Sequence, residues 1–360
     1  MTAPANRLSG IRFPGRYIQG PGALSQLGDH SRSLGTRPLA LVDAHLFAEL
    51  EPRLGLSFGK GVEPVAVRHS GACSEVEVER IVVAAKAAGC DLMVGIGGGK
   101  VLDTAKAAAH SLGTPVVIVP TIAASDAPCS ALAVIYGEDG TVAYDLFLPR
   151  GPDLVLVDTA LIAQAPSRFL AAGIGDALAT YYEAESCRQS GARNCMDLRG
   201  ANLAYVVASR CRDEIFEFGA QALKECDTNK PGPALERVVE ANILLSGIGF
   251  ESGGVAAAHA IHHGLCELPD VHHHLHGEKV AIGVLAGLLL LGQRDEYERV
   301  RRFCLSVRLP TRLADIGIEG ITDEQLSIVA RRATRQGEII HNEPMPVTAQ
   351  MVLAALKALA

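Results

Sequence analysis

Residues 91–120, DLMVGIGGGKVLDTAKAAAHSLGTPVVIVP, decide the fold. Asp91–Gly95 is a short continuous apolar run, the pattern of a strand buried on both faces. Glycines at 95, 97, 98 and 99 follow, and Lys100–His110 has the alanine-rich periodicity of a helix. Pro115–Pro120 (PVVIVP) is a second buried strand. Apolar strands alternating with helices indicate a parallel sheet covered on both sides. The glycine turn between strand and helix lets a backbone approach a pyrophosphate at the helix N-terminus. It is not a Walker A loop, because Val101 stands where Ser or Thr would hold magnesium, and its spacing is not G-x-G-x-x-G. The alternative is a tight turn with no ligand.

The same texture extends outward. On the N-terminal side, Pro38–Asp43 (PLALVD) and Glu63–Arg68 (EPVAVR) predict strands, and Ser74–Gly89 predicts a helix closed by Gly89. RYIQGPGALSQLG reads as an edge strand, a turn and a short helix. Asp43, ending its strand, suits ribose hydroxyls and would repel a 2′-phosphate, although an acid there is also a common turn or helix cap. On the C-terminal side, Pro120–Tyr136 (PTIAASDAPCSALAVIY) has small and hydroxyl residues that could lie close to a cofactor. Its one charge, Asp126, is either a ligand-facing acid or a cap. Asp153–Asp158 (DLVLVD) is the last convincing strand. From about Leu161 the chain is rich in Ala, Leu and Arg, with helices expected at Phe169–Arg188, Met196–Phe218, Ala234–Gly247 and Val280–Leu291. The expected division is an α/β domain over 1–160 and an all-α domain over 161–360.

Composition narrows the function. The chain has 360 residues, 48% apolar and 20% charged, with net charge −7, enough for a large core and little disorder. With no basic run interleaved with aromatics, a nucleic-acid partner is not expected. The opening MTAPANRLSGIRF lacks the apolar stretch of a secretion signal, and Val280–Gly292 is too short to span a bilayer. A cytoplasmic protein with no membrane partner is therefore expected. Nine scattered cysteines without a C-x-x-C pair read as free, mostly buried thiols.

Seven of the twelve histidines fall between His259 and His276. His259, His262 and His263 share one face of an Ala-rich helix, a turn follows at Pro269–Asp270, and a second cluster returns before Gly277. Such a helix and returning loop can converge on one divalent ion, whereas the histidines taken singly could sit on a solvated face or in the core. Asp176, after two glycines in AGIGDALATYYEAE, is either a first-turn carboxylate favoured by a helix dipole or a third metal ligand. Spacing does not decide between them.

Together these segments resemble the glycerol dehydrogenases, a branch of the iron/zinc-dependent polyol and alcohol dehydrogenase family. RYIQGPGAL, GGGKVLDTAK, PTIAASDAPCSALAVIY, GIGDALATYYEA, NILLSGIGFESGGVAAAHAIHHGL, HGEKVAIGVL and IHNEPMPVT occur in that family's order over nearly the whole chain. The resemblance implies a Rossmann-like, NAD-binding α/β domain, a helical C-terminal domain, and an active site in the cleft between them. It makes Asp176, His259 and His276 the metal ligands, on zinc or alternatively iron, and leaves His272, His273 and His274 as neighbours. It makes Asp126 the substrate-contacting acid, with Asp176, His259 and His276 also facing the substrate. It matches Gly97, Gly98, Gly99, Lys100 and Asp103 to the pyrophosphate loop and its helix. Thr121, Ser130, Leu132 and Tyr136 match residues flanking the cofactor, and Asp43 the adenosine-ribose acid. Asp126 and His262 are the candidates for positioning the substrate or relaying a proton. The implied reaction is reversible NAD-dependent oxidation of glycerol to dihydroxyacetone by a homo-oligomer.

Two departures from the family pattern bear on chemistry: Ala124 replaces a hydroxyl residue near the cofactor, and His263 replaces an Asn beside the metal segment. The alternatives are a dehydrogenase for another small diol, hydroxyketone or hydroxy acid, and a dehydroquinate-synthase-like lyase. The lyase would need a basic pocket, which the mostly neutral motifs argue against. A non-enzymatic metal-binding protein would leave the glycine turn without a purpose.

Overall fold

The computed structural model describes residues 8–59, 62–137 and 140–360. All six expected strands form one parallel sheet, in the spatial order Tyr17–Gly20, Leu154–Asp158, Val116–Pro120, Leu92–Gly97, Pro38–Val42, Val65–Arg68. Tyr17–Gly20 lies at an edge, as its sequence suggested. Side chains along each inner strand alternate between two cores. Leu39, Leu41, Met93, Ile118, Val155 and Val157 enter one, while Ala40, Val42, Val94, Ile96, Val119 and Leu156 enter the other. Both faces are thus apolar, which explains the uninterrupted hydrophobic runs.

Helices cover each face. Phe47–Phe58 contributes Leu50, Leu54 and Phe58 to one core, and Glu75–Ala88 and Gly99–Leu112 contribute Ile81, Leu102 and Ala105 to the other. Ser74 caps Glu75–Ala88 by accepting the Glu77 N–H, and Gly89 ends it in the left-handed conformation at φ 63°. Gly95 permits close strand–helix packing, since a Cβ there would lie 2.6 Å from that of Ala105. The strand order reverses between Pro38–Val42 and Leu92–Gly97, so Asp43 and the glycine turn stand together at the switch point of the sheet.

After Asp158 the chain is helical apart from Arg199–Gly200, which pairs with Ser9–Gly10. That pairing delays the expected helix at Met196, so it runs from Asn202 to Asp227 instead. The expected Ala234–Gly247 helix spans Pro233–Gly253 and is interrupted by a π-helical turn at Ala241–Leu245. Leu132–Tyr136 was not foreseen as a strand. It forms an antiparallel hairpin with Val142–Phe147, whose side chains are mostly exposed on both faces and leave no alternation to read. The core containing Leu39 and Val155 continues through Ile174 to Val284, Val329 and Val352, so one buried cluster joins the sheet to the helical region. All nine cysteines are unpaired. Among the described residues no helix is long and apolar enough to cross a membrane.

Candidate active site

Asp176 does not start a helix. It lies in the third turn of Ser167–Ser190, and the glycines before it serve close packing. A Cβ on Gly173 would lie 1.9 Å from the Ala123 carbonyl oxygen, and one on Gly175 would lie 2.3 Å from that of Gly277. The glycines therefore bring the Asp176 helix against the loop after the Val116–Pro120 strand and against the first turn of the His276–Leu290 helix. His259 comes from a third helix, Ala257–Leu265. Three segments distant in sequence thereby converge. Asp176, His259 and His276 each offer a ligand atom within 4.8 Å of the others, the one such group among the described residues.

Orientation favours a cation. Asp176 is buried; its Oδ2 accepts the Asp126 N–H at 3.1 Å, whereas Oδ1 is buried with no hydrogen-bond partner. That oxygen lies 3.1 Å from His276 Nε2 and 3.5 Å from His259 Nε2. His259 Nδ1 lies 2.6 Å from Glu183 Oε2, so the ring donates from Nδ1 and turns Nε2 toward Asp176. Glu183 Oε1 also accepts the N–H groups of Ala256 and His259, which fixes the start of that helix. Two imidazole nitrogens and a carboxylate oxygen, backed by a carboxylate on the outer imidazole nitrogen, fit zinc or ferrous iron. Burial alone would raise the Asp176 pKa, but His276 and His259 hold it well below the carboxylate range. Burial likewise favours neutral His259, and Glu183 and Asp176 reverse this.

The other candidates surround this centre. Asp126 is half-buried; burial, then the Asp176 charge, push its carboxyl well up. Its Oδ2 accepts from Ser246 Oγ at 2.9 Å. The ring of His262 is 4.4 Å from that of His276, its Nε2 is 3.4 Å from Cys266 Sγ, and its buried Nδ1 has no partner. Burial, then His276 and Lys279, lower its pKa. His263 turns away, with Nδ1 3.0 Å from Glu338 Oε1. His272 and His273 are exposed, and His274 faces Glu278 at 3.4 Å.

At the sheet's carboxyl edge, Gly98 precedes the Gly99–Leu112 helix, and a Cβ on Gly99 would meet nothing within 4 Å. Gly97 approaches Asp43, whose Cβ would be 3.1 Å from a Cβ there. Asp43 Oδ1 also accepts the His45 N–H at 2.9 Å, so it caps a turn while standing beside the glycine turn. The Thr121 N–H donates to Gly97 O at 3.0 Å, and Lys100 Nζ lies 5.0 Å from the centre of the Tyr136 ring. Asp103 is committed within the protein: Oδ1 pairs with Lys106 Nζ at 2.8 Å and Oδ2 accepts the Val134 N–H at 3.1 Å. Buried Lys106, which no motif had singled out, also donates to the carbonyls of Ala127, Ser130 and Leu132 and so ties the 127–132 segment to this helix. Glu183, Ser246 and Asn242 were likewise missed, since their partners lie far away in sequence.

Residues 14–159 match the family described as iron-containing alcohol dehydrogenase. Glycerol dehydrogenase of Thermotoga maritima is 51% identical over 350 residues, covering 96% of this chain and 95% of that protein. The chain belongs to the iron-containing alcohol dehydrogenase family. A glycerol dehydrogenase of Escherichia coli O6:H1 is 45% identical over 348 residues, covering 96% of this chain and 95% of that one. The crystal structure of a probable glycerol dehydrogenase from Sinorhizobium meliloti 1021 is 43% identical, with a TM-score of 0.93 and 98% of each chain covered. This family member is thus a metal-dependent dehydrogenase whose parallel-sheet region and helical region follow the architecture of its relatives.

Proposed function

We propose that this dehydrogenase oxidises glycerol reversibly to dihydroxyacetone, passing hydride to NAD at a site that holds zinc, with iron as the alternative ion. The observation that carries the reading is Asp176 Oδ1, buried without a hydrogen-bond partner and facing the Nε2 atoms of His259 and His276. Glycerol is favoured by the relatives' activity and by Asp126, a second carboxyl beside the ligand set with one oxygen bonded to Ser246 and the other without a hydrogen bond.

Asp176, His259 and His276 would hold the ion, and Glu183 would keep His259 in the binding tautomer. When bound, the ion would supply Lewis acidity to the reacting hydroxyl and NAD would supply the hydride acceptor, so that glycerol and NAD would yield dihydroxyacetone, NADH and a proton. Three protein ligands would leave the ion able to take a substrate oxygen as well. Asp126 orients the neighbouring hydroxyl, and His262 accepts the released proton. The N–H groups of Gly99 and Lys100, which have no intrahelical partner, meet the pyrophosphate, and Asp43 accepts from the adenosine ribose. Thr121, Ser130, Leu132 and Tyr136 border the nicotinamide half. Asp103 acts through the helix and hairpin it joins. The expected division at residue 160 places the cofactor on the sheet side and the ion on the helical side. A cytoplasmic homo-oligomer completes the reading.

The deciding experiment follows NADH formation from NAD with glycerol, 1,2-diols and 2-hydroxy acids, before and after chelation and zinc add-back. Glycerol or a vicinal diol should lead, with activity lost on chelation and restored by zinc. No oxidation of any alcohol by metal-loaded protein would overturn the proposal.

A further inference from the structure

Asp126 is gripped from behind by groups outside the ligand set. We propose that Ser246, anchored by Thr180, is a positioning residue that holds the Asp126 carboxylate for a second, vicinal hydroxyl and so sets preference for diols over mono-alcohols. This rests on the polyol-oxidation reading above.

Ser246 Oγ donates to Asp126 Oδ2 at 2.9 Å, so the Ser246 hydroxyl hydrogen is committed. Thr180 Oγ1, 2.8 Å from Ser246 Oγ, must then be the donor to it. Both hydroxyl residues are fully buried, and Thr180 stands one turn after Asp176 on the same helix. The Asp126 backbone is fixed to that helix as well, through its N–H on Asp176 Oδ2 at 3.1 Å. Backbone and one carboxylate oxygen are therefore immobilised, and Oδ1 is the one polar side-chain atom of Asp126 left without a protein partner.

The π-helical turn supplies the grip. Its defining bond runs from the Ser246 N–H to Ala241 O. Within the turn, Asn242 Nδ2 donates to Ala123 O at 3.0 Å and to Leu170 O at 3.2 Å. One helical segment thus holds both ends of the Ala123–Asp126 loop. Gly247 lets it approach, since a Cβ there would lie 2.7 Å from Cys129 Cβ and 3.3 Å from Asp126 O. π-Turns often accompany functional sites, and here the turn has an identified load. A mono-alcohol has no second hydroxyl to meet Asp126, so losing the grip should penalise diols selectively.

The test uses metal-loaded enzyme with its metal content measured. Ser246→Ala, Thr180→Val and Thr180→Ser are compared on glycerol, 1,2-propanediol and 1-propanol. Ser246→Ala should lower kcat/KM for both polyols about tenfold, mainly through KM, as expected for one misoriented hydrogen bond. Thr180→Val, close in shape but without the donor, should lower it about threefold, and Thr180→Ser should match wild type. Metal content and the 1-propanol rate should stay near wild type. Unchanged polyol kinetics in Ser246→Ala, or equal losses on polyols and 1-propanol, would overturn the inference while leaving the polyol reading intact. Wild-type enzyme inactive on every alcohol would overturn both.

Discussion

At Asp176 one carboxylate oxygen takes a backbone N–H and the other meets only imidazole nitrogens, so the side chain is built for a cation rather than for fold stability. Asp176→Ala and His259→Ala should therefore reduce NADH formation to background while circular dichroism still reports a folded chain. Full activity in either variant would remove the ligand assignment. Glu183 acts at one remove. Glu183→Gln weakens the hold on His259 Nδ1 and should reduce metal affinity roughly 10–100-fold, measured by chelator competition, with activity returning at high zinc. Affinity equal to wild type would mean that Glu183 only caps the helix. The ligands illustrate what sequence could and could not supply. The histidine cluster was visible as composition, but choosing His259 and His276 among seven needed the family resemblance. Imidazoles spaced three and four apart share a helix face whether or not they face an ion. Ser246 and Asn242 lie in a segment that carries the resemblance, but their role was not legible, because each acts on a loop about 120 residues away.

Among elements, strands buried on both faces were the most legible, since burial forces continuous apolar runs such as LVLVD and VVIVP. The Leu132–Phe147 hairpin was not, because its second strand is exposed on both faces. The glycines before Asp176 left a helix start there as one of two readings, although the expected Phe169–Arg188 helix contains them. Gly-x-Gly usually signals a turn, whereas here each glycine admits a carbonyl oxygen from a neighbouring segment. Gly277 shows the same demand: a Cβ would lie 1.8 Å from Ala172 O, across the contact that presents His276. Gly277→Ala should destabilise the fold by roughly 2–3 kcal/mol through overpacking, seen as a lower Tm. It should also weaken metal retention, because the first turn carrying His276 must move. An unchanged Tm would show that the two helices can separate without cost.

Across the whole molecule, Glu338 joins the later helices. It meets His263 at 3.0 Å and is paired with Arg332. Burial alone would push its carboxyl up, but His263, Arg332 and the Ile339 N–H bring it down to about 2 from an ordinary value of 4.5. A carboxyl with a folded pKa below its unfolded one stabilises the fold above the unfolded value and loses that contribution as pH falls toward the folded value. Glu338→Gln should thus cost on the order of 1–3 kcal/mol near neutral pH. Its Tm deficit relative to wild type should narrow as pH drops from 4.5 toward 2. A deficit independent of pH would assign the loss to packing.

The buried cluster shared by sheet and helical region also ties the two regions to each other. Spreading the two regions apart like a jaw would strip Leu39, Val155 and Ile174 from the side chains beyond them and expose that apolar surface to water. Any opening of that kind would therefore carry a hydrophobic cost that grows with the area uncovered.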